Sequence, residues 1–184
     1  MKYLIGLLVT IVVIIFIIIK LLTGGGGGVA QKPAPLSDYA DTDTTMRYTV
    51  QNPTQATETH REIQITVGRD SSEIIIYKGY NSDVLTRKTY PMTEAAYSDF
   101  LRGLMISGGY TDGNPDKSLS DESGYCSTGD RYVYEVVDGS GDVKQHFWST
   151  SCGEKTFRGN VPVVQEMFQA QIPDYDTMTD DIIL

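Results

Sequence analysis

The chain has 184 residues, a formal net charge of −9 and two cysteines, which suits one modest domain with accessories. Two of its 15 basic residues, Lys2 and Lys20, and none of its 24 acidic residues precede Gln31, so the remainder carries 13 basic against 24 acidic residues, or −11. Such a body repels phosphate backbones and anionic headgroups, which argues against nucleic acid as a partner.

Leu4 to Ile19 holds no charged residue and is dominated by Leu, Ile and Val. With its flanks it makes about 20 helical residues, roughly 30 Å, one bilayer core. Residues 1–23 are expected to form a transmembrane anchor, with the lipid bilayer as partner through residues 3–22. Lys20 can snorkel to the interface. Gly28-Val29-Ala30 would also suit signal-peptide cleavage after Ala30, giving a secreted domain. The apolar run exceeds the usual h-region of about 7–15 residues, which favours the uncleaved anchor. Charges flanking the helix are nearly balanced. Orientation therefore rests on the cysteine pair, the acidic Tyr/Thr/Ser/Gly-rich body and the stalk: N-terminus inside, C-terminal domain outside the cytoplasmic membrane.

Gly24 to Gly28 is a run of five glycines, followed by Pro33, Pro35 and a Ser/Asp/Thr stretch. Such chain cannot bury enough apolar area to offset its ordering entropy. Residues 24–57 read as a flexible stalk, with at most a short edge strand over Met46–Val50. Residues 58–176 read as the folded domain, and 177–184 as an acidic tail.

Within the domain, Ile63, Ile65 and Val67 alternate with polar residues, the mark of a half-buried strand. A second strand spans Glu73–Tyr80 and a third Val84–Tyr90. Thr93 is an N-cap, and Tyr97, Phe100, Leu101, Leu104 and Met105 make one helical stripe that Gly108 and Gly109 terminate. After a polar loop, Tyr110–Gly124, strands follow at Arg131–Val137 and Val143–Thr150. Asp138–Asp142 turns between them, with Gly139-Ser140 suiting type II′. Asn160 caps a last helix that Pro173 ends. The order β-β-β-α-β-β-α predicts an α+β domain: an antiparallel sheet of about five strands with two helices on one face.

Cys126 and Cys152 lie nearly equidistant from the turn at Gly139–Gly141, so the hairpin brings them close to opposite each other. That is the placement a disulfide needs, and an exported domain would keep it oxidised.

Catalytic signals are few. The two histidines, His60 and His146, are isolated and make no zinc site. No G-x-S-x-G elbow accompanies His146, although Ser149 and Ser151 lie near it. Asp112, Asn114 and Asp116 alternate as in a calcium loop, but Lys117 stands where that loop requires Gly and Ser123 where it requires Glu. No metal and no cofactor is expected. The long acidic loop, with Asp112, Asn114, Asp116, Asp121 and Glu122, is the candidate partner-contact surface.

Gly124-Tyr125-Cys126-Ser127-Thr128-Gly129-Asp130-Arg131-Tyr132, Trp148-Ser149-Thr150-Ser151-Cys152-Gly153, Gln171-Ile172-Pro173-Asp174-Tyr175 and the glycine run after the helix carry a resemblance. With these features the chain resembles single-helix-anchored extracytoplasmic proteins of ultrasmall (Saccharibacteria-like) bacteria, which have no assigned activity. The resemblance implies the same topology and disulfide. The expectation is a membrane-anchored, non-enzymatic binding or envelope-structural module whose partner is an envelope protein or other macromolecule. The alternatives are a surface hydrolase using His146 and a small inhibitor-like domain.

Overall fold

The computed structural model describes residues 35–40, 42–80, 83–110 and 121–182. The expected transmembrane segment, residues 24–34 of the stalk, and Asp112, Asn114 and Asp116 lie outside the described residues. Among the described residues, no helix is long and apolar enough to cross a membrane.

The first described element is a 3-10 helix, Leu36–Tyr39. Strands follow at β1 Thr45–Gln51, β2 Arg61–Val67, β3 Ser71–Lys78 and β4 Asp83–Pro91, then helix α1 Glu94–Ile106, strands β5 Arg131–Val137 and β6 Val143–Thr150, and helices α2 Val161–Gln169 and α3 Tyr175–Thr179. The strands form one sheet of six in the order β4-β3-β2-β1-β5-β6, with every pairing antiparallel. The class is α+β, with six strands rather than about five.

The additional strand is β1, and it corrects the stalk. The sequence reading puts Met46–Val50 at most on an edge; the structure puts β1 in the interior, hydrogen-bonded to β2 on one side and β5 on the other. Met46, Tyr48 and Val50 point into the core and are 0–2% exposed. Leu36 is buried with them, and Asn52 and His60 are buried in the following loop. The fold therefore begins near Leu36, not residue 58, and the residues between 36 and 57 are not all stalk.

One sheet face carries the helices. Ile63, Ile65, Val67, Ile74, Ile76 and Tyr134 meet Tyr97, Phe100, Leu101 and Leu104 of α1 and Val164 and Phe168 of α2 in a single apolar cluster. Phe168 stacks on Tyr48 at 5.3 Å and meets Phe100 edge-on at 5.2 Å. The caps are as expected: Thr93 accepts from the Ala96 amide and Asn160 from the Val163 amide.

Two local expectations fail. The segment read as a tail, residues 177–184, contributes its first three residues to α3, and Met178 of that helix and Ile182 beyond it pack against the core. Lys88 of β4 pairs with Asp174 just before α3. The β5–β6 turn is not type II′, which needs positive φ at its first central residue, Gly139. Positive φ falls at Gly141, at 91°. Asp138 Oδ1 accepts the amides of Ser140 at 3.0 Å and Asp142 at 2.9 Å, organising a longer loop.

Candidate functional site

The face away from the helices is polar, and strand register decides which side chains meet there. Arg47 pairs with Glu135, and Glu135 with His146, so three charged residues form one cross-strand row. The next row runs Gln64, Thr49, Val133, Trp148, and a third runs Glu62, Gln51, Arg131, Thr150.

In the first row Arg47 Nε donates to Glu135 Oε2 at 2.7 Å. Glu135 Oε1 takes His146 Nδ1 at 3.0 Å, and His146 Nε2 reaches Glu122 Oε2 at 3.0 Å. His146 is thus clamped between two carboxylates. The hydrogen bonds to Glu122 and then Glu135 outweigh burial and push its pKa up to about 9. It is an imidazolium at neutral pH, with both ring N–H groups donating. Burial alone would raise Glu135, but its bonds from His146 and Arg47 hold the carboxyl below its ordinary range.

Glu122 comes from the segment 121–130, which lies over this face and is fastened at several points. Cys126 and Cys152 are disulfide-bonded with Cα atoms 5.6 Å apart, as the sequence predicts. The Tyr125 ring lies 4.8 Å from that of Trp148. Thr54 N donates to Ser127 O at 2.8 Å, and Asp130 N to Ser151 Oγ at 2.9 Å. Gly129 is required here, because a Cβ would fall 2.7 Å from Cys126 Sγ. Trp148 is fully buried, but outside the helix-side cluster, on the opposite face beneath Tyr125.

Between this segment and the sheet lies an open cleft of about 260 Å³, lined by Arg47, Thr49, Gln51, Gln64, Glu122, Val133, Glu135 and His146. The third row leads to a buried pair. His60 Nε2 lies 3.1 Å from Glu62 Oε1, with side chains 0% and 3% exposed. Tyr80 stacks on His60 at 4.0 Å. Burial raises the Glu62 pKa, and the bond to His60 only partly offsets it.

Of the candidate contact loop, Asp121 and Glu122 are described, and they part ways. Asp121 is exposed and accepts the Ser123 amide at 2.9 Å, which lowers its pKa. Glu122 turns inward to His146. The serines near His146 in sequence are not near it in function. Ser149 faces the helix side and meets Tyr134 at 3.3 Å, while Ser151 serves the disulfide end. Among the described residues no group of three or more His, Cys, Asp or Glu is arranged to hold a metal ion.

Sequence reasoning singles out His146, but misses Arg47, Thr49, Gln51 and Glu135, which line the cleft with it. The signal available was the alternation of Arg47, Thr49 and Gln51 against Met46, Tyr48 and Val50. No protein-family model matches the chain, and no curated protein matches it.

Proposed function

We propose that the chain is a non-enzymatic binding module, held at the outside of the cytoplasmic membrane by its N-terminal apolar segment, whose contact surface is the cleft on the helix-free face. One observation carries the reading: both ring nitrogens of His146 are spent on carboxylates. A general base needs a free lone pair within reach of its proton. This histidine has none, and among the described residues no serine shares a hydrogen bond with it. What remains is a polar recess whose wall is pinned by a disulfide and an ion pair, the preorganised arrangement that lowers the cost of binding. The apolar run Leu4–Ile19 and the glycine run behind it support the tethered, outward-facing placement.

The test is site-specific photocrosslinking in cells. A photoreactive residue at Gln64, in the cleft, is compared with one at Ser98, exposed on α1. The reading requires a specific envelope macromolecule captured from Gln64 and absent from Ser98. Equal capture at both positions, or none at Gln64, contradicts it.

A further inference from the structure

We infer that the cleft recognises a neutral, hydroxyl-rich ligand, a saccharide unit. The inference rests on the reading of the cleft as the contact surface. It follows from which valences the cleft leaves open. Its four charged groups neutralise one another: Arg47 and His146 against Glu122 and Glu135. A charged ligand would find no net opposite charge there, and the acidic body would repel an anion on approach.

The unspent groups include both donors and acceptors. Arg47 uses Nε on Glu135, and its two terminal nitrogens make no hydrogen bond among the described residues. Gln64 Oε1 accepts from Tyr77 at 3.4 Å, which leaves its amide N–H₂ as donor. Thr49 supplies a hydroxyl, Gln51 a whole amide, and Glu122 a second oxygen. A hydroxyl is one donor and a double acceptor, so a polyol can satisfy such a mixed set. An apolar ligand would strand these groups. At about 260 Å³ the recess falls just below the range of drug-sized pockets, a scale that suits one ring.

The full chain, in a detergent without a sugar headgroup, is titrated calorimetrically with maltotetraose, cellotetraose, mannotetraose and chitotetraose, and in parallel with citrate, inorganic phosphate and spermidine. The expected result is saturable binding of at least one neutral oligosaccharide. Its affinity falls tenfold or more in Gln64→Ala and in Thr49→Val, each with an unchanged melting temperature. Gln51→Ala replaces either variant if it fails to fold. The inference is overturned if no oligosaccharide binds, if binding survives the substitutions, or if only an ionic probe binds. Capture of an envelope protein from Gln64 with no oligosaccharide bound would overturn this inference while leaving the module reading intact.

Discussion

The two faces of the sheet are built from the same strands but solve opposite problems. On the helix side, Tyr48, Ile65 and Tyr134 lie in adjacent strands and are at most 1% exposed. Their stability comes from apolar area removed from water and needs no particular charge state. One residue along, Arg47, Thr66 and Glu135 face the other way. That face is held by a disulfide, an ion-pair row and the ring contacts Tyr125–Trp148 and Tyr80–His60. A period of two lets one strand carry both a core and a recognition surface. The core side tolerates little loss of volume, whereas the recognition side depends on pH and redox state.

The comparison breaks first at β1, which serves both faces. A fragment starting at residue 58 would lose this interior strand and leave β2 and β5 with unpaired edges. Circular dichroism should show no cooperative unfolding for it, whereas a fragment starting at residue 35 should unfold in a single transition. Next comes a purely helix-side change. Phe168→Ala should cost about 3–5 kcal/mol in denaturant unfolding at any pH between 5 and 9, because its ring partners are Phe100 and Tyr48, and burial pushes the Tyr48 phenol well above its ordinary range.

On the other face, Cys126→Ser or Cys152→Ser should cost about 2–4 kcal/mol, the double variant little more than either alone. Reduction of the wild type should reproduce the loss, while reductant should leave the Phe168→Ala difference unchanged. Mass spectrometry of the alkylated, non-reduced chain should show neither cysteine labelled.

Much of the helix side was legible because its signals are local. The α1 stripe from Tyr97 to Leu104, the caps Thr93 and Asn160, and the limits of β5 and β6 all follow from period and cap chemistry. Strand β1 was hidden because only Met46, Tyr48 and Val50 are apolar in it, and it follows a Gly/Pro/Asp/Thr-rich stretch. Its polar residues looked like linker because they line the cleft. The packed C-terminal segment was hidden for a similar reason: Met178 of α3 and Ile182 beyond it sit among acidic residues. The cleft itself could not be read, because it depends on register across four strands and on Glu122 arriving from a distant segment. The disulfide was the exception, since hairpin symmetry alone brought its cysteines together.

The smallest predicted effect is the most specific. A histidine whose folded pKa is raised stabilises fully below its ordinary value of 6.5, and that contribution is lost as pH rises through about 9. The His146 side chain is 28% exposed, so solvent screening brings the expected contribution to about 1–2 kcal/mol. The central claim is that His146 is a latch holding Glu122 and its segment over the cleft, not a reactive base. The direct measurement is a double-mutant cycle of Glu122→Gln and His146→Gln, with stability determined at pH 6 and pH 10. The account predicts a favourable coupling of about 1 kcal/mol at pH 6 that vanishes at pH 10. No coupling at pH 6, or the same coupling at both pH values, would contradict it.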